Sequence, residues 1–302
     1  MKVAIAGLGD VSKYLLEELP KEGHEVVVLT RSQKPHIKAV VQRVTDYSVS
    51  DLKQHLTDCD AVVSAITIHV PEFASIHLAI LDACKQSARC KRFLPSSWAG
   101  NYEEVNDQPL FAGEDLLPIL DALRAQKEVS WTFFCQGWMV DYILPSKSRY
   151  LADFGERWVQ SYETKVYTLY GNGSQKVDFT SARDTTHAVG VLLKHDRSTW
   201  EEFTCVSGQR MTWRELYDFI KSREPEYTLQ KKSLAQSIKQ FMAKESKDKV
   251  AASMYEVMGH SEALAFPDGK VEQHREKFFK NMKFRTPAEI YDEALGNPDV
   301  VV

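Results

Sequence analysis

Three small residues in the spacing Gly7-x-Gly9-x-x-Ser12 are the first in the chain whose types could do chemistry. They stand between the apolar run Lys2-Val-Ala-Ile-Ala6 and a helical pattern that opens at residue 10. A glycine at the first place permits a tight turn. One at the second lets backbone N–H groups approach a diphosphate, whose charge the helix N-terminus attracts. Ser12 stands where this fingerprint takes glycine or alanine, which predicts a helix set slightly off the strand, and Asp10 brings an acid close to the phosphate position. A second apolar run, Glu25-Val-Val-Val-Leu29, leads into Thr30, Arg31 and Ser32, with Lys34 nearby. An acid at such a strand end accepts from the ribose 2′-OH of NAD, whereas a base suits the 2′-phosphate of NADP through charge-assisted bonds. Arg31, flanked by two hydroxyls, therefore predicts NADP(H).

Alternating apolar runs and amphipathic helical patterns position these groups, and that alternation is the signature of βαβ units feeding a parallel sheet. Strands are predicted over 2–6, 25–30, 39–44, 60–66, 90–94 and 130–135, and helices over 10–22, 48–57, 71–88 and 113–127. Ile76, Ile80, Leu81 and Cys84 show the three- and four-residue spacing that covers one face of a sheet. Further on, a strand-like Val166–Tyr170 leads through the turn "GNGS" to a short run at 176–180 and a helix with Asp184 as its N-cap. Segment 229–250 reads as a helix with a solvated lysine face. The fold class expected is α/β, a Rossmann-type doubly wound parallel sheet over 1–150. A smaller, helix-rich C-terminal lobe on the substrate side takes 151–302, of which about 176–205 returns to the Rossmann core.

The chain has 302 residues, 43% hydrophobic and 26% charged, with a formal net charge of -4, so it lacks the basic excess of a nucleic-acid binder. No stretch approaches eighteen apolar residues, which leaves no membrane span and a cytoplasmic location by default. Cys59, Cys84, Cys90, Cys135 and Cys205 are odd in number and include no C-x-x-C pair, which suits reduced, mostly buried thiols. Nine histidines without ligand spacing argue against a catalytic metal. "GHSEAL" lacks the last glycine of a nucleophile elbow, His187 reads as an ordinary helix residue, and the Tyr-x-x-x-Lys spacing of Tyr227 and Lys231 lies outside the Rossmann strands.

Several stretches together resemble the NmrA-like and isoflavone-reductase-like branch of the atypical short-chain dehydrogenases: "VAIAGLGDVSKYL", "VVVLTRS", "VTDYSVSDLKQHLTDCDAVVSAI", "CKRFLPSSWAGNY", "WTFFCQGWMVDYIL" and "VDFTSARDTTHAVGVLL". The likeness runs from residue 1 to about 220, and "RFLPSSWAG" and "FTSARD" are its most specific parts. It implies a Rossmann domain that binds NADP(H) and a C-terminal lobe that closes over a substrate cleft. Carried onto matching positions, Gly7, Gly9, Ser12 and Lys13 would line the phosphates and Arg31 the 2′-phosphate. Ala65 and Ile66 would border the adenosine-ribose side, and Pro95 with Ser96 would sit near the nicotinamide.

The reductases it resembles carry a lysine at the head of the helix after a P-S-E-x-G loop, as general acid or as orienter of the nicotinamide ribose. In this chain the matching position is Leu116 or Leu117, and the glutamate is replaced by Ser97. Hydride transfer to a carbonyl or enone leaves negative charge that a positioned acid neutralises, for a factor of about 10² to 10⁴ in rate. Substitute donors are Tyr102, Asp141, Tyr142, Ser96 and Ser97; Trp98, Phe111, Trp138, Met139 and Tyr142 are the expected wall of an apolar substrate pocket. Three functions are compatible with these residues. One is an NADP(H)-dependent reductase of specialised metabolism acting on an aromatic, polyketide-like or terpenoid small molecule. The others are a non-redox cyclase, isomerase or dehydratase on the same fold, and a dinucleotide-sensing regulator. Oligomeric state is left open.

Overall fold

Strands buried on both faces read as continuous apolar runs and pair in parallel, and Val3–Ala6, Val27–Leu29 and Ala61–Val63 are fully buried. The computed structural model describes residues 1–302 except His36, Lys38, Ala39, His69 and 106–112. Its main sheet is formed by β1 (Lys2–Ala6), β2 (Glu25–Thr30), β3 (Val41–Val44), β4 (Ala61–Ser64), β5 (Arg92–Leu94) and β6 (Ser130–Trp131). The strands lie in the order β3-β2-β1-β4-β5-β6, all parallel. Strand order reverses between β1 and β4, which leaves a crevice beyond their carboxyl ends.

Helices cover both faces. Val3 and Ile5 of β1 pack with Leu15 and Leu19 of α1 (Asp10–Lys21), while Ala4 and Ala6 point to the other side, against α2 (Val49–His55), α3 (Phe73–Gln86) and α4 (Gly113–Arg124). The 130–135 run, expected as one strand, divides at Thr132. Its first part, β6, stays in the main sheet, and β7 (Phe133–Cys135) leaves it. Beyond β8 (Trp138–Met139), β9 (Gln160–Ser161), β10 (Val166–Tyr170) and β11 (Lys176–Thr180) come α5 (Ala182–Lys194) and β12 (Phe203–Cys205). β7 pairs in parallel with β12, and the Thr132 and Thr204 hydroxyls meet at 2.8 Å. Helix α5 lies on α1: Arg183 pairs with Glu17 at 2.8 Å, and His187 with Glu22 at 2.8 Å.

Two other expectations change. Ser181, not Asp184, caps α5, its hydroxyl accepting the Asp184 N–H at 2.9 Å; the Asp184 carboxylate takes the Arg285 backbone N–H at 2.7 Å and its Nε at 2.9 Å. After β13 (Gln209–Thr212) and α6 (Trp213–Arg223), segment 229–250 divides into three elements: β14 (Thr228–Lys232), α7 (Leu234–Ala243) and the start of α8 (Lys247–Gly259). Ser233 opens α7 with a capping box to Gln236, left-handed Lys244 (φ 49°) ends it, and Ser246 caps α8. Lys231, Lys239, Lys244 and Lys247 are exposed as expected, but α7 also exposes an apolar stripe, Leu234, Ile238 and Met242. α9 (Lys270–Phe278) and α10 (Pro287–Gly296) complete the chain. A second core forms around Trp213, which packs against Trp138, Trp158, Tyr170 and Phe179.

Candidate functional site

The turn after β1 is built for close approach. Gly7 has φ +94°, donates its N–H to Leu29 O at 2.9 Å, and a Cβ there would press Ile66 Cγ1 at 3.1 Å. At Gly9 the nearest atom to such a Cβ is Ala65 O at 3.6 Å, so that side of the turn is open. Gly9 is the N-cap of α1 and supplies no side-chain hydrogen bond, which leaves first-turn N–H groups to an outside acceptor. Ser12 is fully buried and bonds back to Gly9 O, so its hydroxyl closes the helix start. Asp10 holds Lys13 Nζ at 2.9 Å and the Ala152 N–H at 2.8 Å, tying the turn to a segment some 140 residues later. These residues fit a dinucleotide diphosphate.

At the end of β2 the Arg31 guanidinium lies half exposed, 3.3 Å from Glu72 beside α3. Ser32 is exposed and Lys34 half-buried. Thr30 is buried and donates its hydroxyl to Ser32 O at 3.0 Å. Ala65 and Ile66 continue past β4, with the Ala65 N–H bonded to Ala6 O at 2.8 Å, at the reversal in strand order.

A cavity of about 370 Å³ begins at Gly9, Asp10 and Val11, passes Ala65, Ile66 and Ser96, and ends among aromatic side chains. Of the residues expected to form the site, it brings together Gly9, Ala65, Ile66, Ser96, Trp98, Tyr102, Trp138, Met139 and Tyr142. Gly7, Ser12, Lys13, Thr30, Arg31, Ser32 and the buried Pro95 stand outside its wall. Phe111 lies outside the described residues. Of the expected donors, Ser97 is turned to Phe134 O at 3.4 Å. Asp141 is fully buried, takes the Ala182 N–H at 2.8 Å, and lies 3.5 Å from the Tyr14 hydroxyl; burial pushes its carboxyl up to about 6. Neither lines the cavity. Leu116 is packed in the core, and it and Leu117 also stay out of the wall.

Tyr102 is different. Its side chain lines the cavity, burial pushes its phenol well above the ordinary value, and its hydroxyl has no hydrogen-bond partner among the described residues. The wall also includes residues the sequence did not point to: Gln136, Phe154, Tyr255 and Met258. Phe154 stacks on Tyr142 with centroids 5.2 Å apart and meets Tyr255 at 4.9 Å; Trp138 stacks on Trp158 at 5.4 Å. Only the aromatic density of "LADFGERW" hints at Phe154 and Trp158. Tyr227 lies elsewhere, its hydroxyl accepting from Gln160 at 2.9 Å.

The chain matches an NAD(P)H-binding family model over residues 7–156. It is 37% identical to "Oxidoreductase swnR" of Arthroderma benhamiae, with 100% of each chain covered. It is 23% identical to "Isoflavone reductase homolog A622-like" of Nicotiana tabacum over 60% of this chain and 59% of that one. The solved leucoanthocyanidin reductase–NADPH complex of Vitis vinifera shares the fold, with a TM-score of 0.75 at 15% identity over 98% of this chain and 100% of that one.

Proposed function

We propose a reductase function from one premise: the chain belongs to the NmrA-like, isoflavone-reductase-like family of NAD(P)H-binding oxidoreductases. On this reading it uses NADP(H) to reduce an aromatic, polyketide-like or terpenoid small molecule of specialised metabolism. The observation that carries the reading is one continuous cavity that joins the glycine turn to an aromatic wall. Gly7, Gly9 and the first turn of α1 hold the diphosphate, and Arg31 takes the 2′-phosphate, exchanging its exposed Glu72 partner for a doubly charged one. When bound, NADPH supplies the hydride. Trp98, Trp138, Tyr142 and Phe154 exclude water and stack on a flat apolar substrate. The Tyr102 hydroxyl, kept neutral by burial and free of a protein acceptor among the described residues, donates a proton to the oxygen on which charge develops. Tyr102 thus takes the role that leucine at position 116 or 117 cannot. The lobe after residue 150 forms the substrate side of the cleft.

The test couples binding to turnover. NADPH is titrated into the protein by nicotinamide fluorescence, and loss of its absorbance is then followed against a panel of aryl ketones and enones. Wild-type protein is expected to consume NADPH with at least one of them, and Tyr102→Phe to bind NADPH equally while turning over about 10² to 10⁴ times more slowly. Tight NADPH binding with no consumption across the panel would transfer the cleft to cyclase, isomerase or dehydratase chemistry, or to nucleotide sensing.

A further inference from the structure

His77 lies on α3, fully buried, and forms no part of the cavity wall. Its Nδ1 is 2.7 Å from Phe73 O, and its Nε2 is 3.2 Å from the backbone N of Ser96. These partners dictate the tautomer. A carbonyl oxygen only accepts, so Nδ1 carries the proton; an amide N–H only donates, so Nε2 presents its lone pair. The ring is wedged beside Phe73 and Phe93, with centroids at 4.2 Å and 6.2 Å. Burial pushes the imidazole down to about 4, so it stays neutral and keeps this one arrangement through the physiological range.

The turn that His77 holds follows β5 at the carboxyl edge of the main sheet. Three other contacts fix it: Trp98 Nε1 donates to Ser64 O at 2.9 Å, Ser97 Oγ donates to Phe134 O at 3.4 Å, and the Gly137 N–H donates to Ala99 O at 3.2 Å. Those contacts hold residues 97 to 99. The contact from α3 sets the Ser96 amide. We propose that His77 is a positioning residue, its Nε2 holding the Ser96 N–H and thereby the 95–98 turn against the nicotinamide end of the bound dinucleotide. This rests on the coenzyme placement proposed above.

Two probes separate the ends of the coenzyme: NADPH, and adenosine 2′,5′-bisphosphate, which lacks the nicotinamide half. His77→Asn keeps a polar group near Phe73 O but falls short of Ser96, whereas His77→Gln carries an acceptor out to the Nε2 position. His77→Asn is expected to weaken NADPH about tenfold, the scale of one unmade buried hydrogen bond, to leave the bisphosphate within about twofold, and to be rescued by His77→Gln. In wild-type protein, free of ligand, the Ser96 amide is expected to exchange its hydrogen slowly. Equal loss for both probes, undiminished NADPH binding in His77→Asn, failure of the glutamine rescue, or a fast-exchanging Ser96 amide in the wild type would each overturn the inference. Wild-type protein that binds neither probe would remove the coenzyme reading itself, and this inference with it.

Discussion

The two ends of the cavity are made differently. The glycine-turn end, where we propose the dinucleotide, comes from strand termini in one sheet: the turn after β1, and Ala65 with Ile66 after β4. Each lies within a few residues of a buried strand, so local pattern places it. The aromatic end is assembled from segments around 98–102, 136–142, 151–154 and 255–258, which meet only through tertiary packing. Gly137 shows how tight that meeting is: it has φ +70°, and a Cβ there would lie 1.9 Å from Asp178 O. Asp178 in turn takes the Arg210 guanidinium at 2.8 Å and the Phe266 N–H at 2.8 Å. At the first end Gly9 leaves open space beside the turn, whereas at the second Gly137 lets another segment of the chain close in.

Five variants break or sharpen that contrast. Gly137→Ala strains a left-handed backbone and forces the alanine methyl into a carbonyl, so urea unfolding should show a loss of about 3–5 kcal/mol. Gly9→Ala has room for its methyl at 3.6 Å from Ala65 O and should keep stability within about 1 kcal/mol while weakening NADPH. Equal destabilisation by the two would erase the distinction.

Asp141 offers the next largest effect. Its carboxyl is raised from 3.8 to about 6 in the folded chain, so between those values the folded state holds a proton that the unfolded state has released. Stability therefore falls as pH rises from about 4 to 6 and stays lower above that window, by about 3 kcal/mol for a shift of this size. Asp141→Asn should flatten that limb and be the more stable protein at pH 8. A limb that persists in the variant would assign it to another group.

Arg31→Ala should bring the NADPH and NADH dissociation constants closer by about 10- to 100-fold, the worth of charge-assisted bonds to one phosphate. Its melting temperature should hardly move, because the Arg31–Glu72 pair is exposed on both sides. The smallest effect is expected for Glu72→Gln, which frees the guanidinium and should tighten NADPH by about twofold, an exposed ion pair being worth well under 1 kcal/mol.

The legible parts of the molecule are those with short-range causes. Buried runs gave the parallel strands, and glycine spacing with a base at a strand end marked the turn and Arg31. Capping was legible in kind but not in place: Ser181 and Asp184 are both capping types three residues apart, and only the Arg285 contact shows which one is otherwise engaged. Segment 229–250 misled because its apolar spacing suits one helix, whereas Ser233 parts β14 from α7, and left-handed Lys244 with the cap Ser246 parts α7 from α8. Trp98, Tyr102 and Trp138 were found by type and by nearness to strand ends. Tyr255 and Met258 had no such signal, since facing a cleft and facing a core look alike in a helix more than 100 residues away.

The break at Thr132 has a practical consequence for anyone dissecting the molecule. Phe133–Cys135 and Trp138–Met139 find their ladder partners at 203–205 and 179–180, well past residue 156, where the family-model match ends. A truncated piece cut there would carry two unpaired apolar ribbons into solution and stick to its own copies. Expression trials should therefore start from the whole polypeptide, because the later chain is what finishes the earlier half.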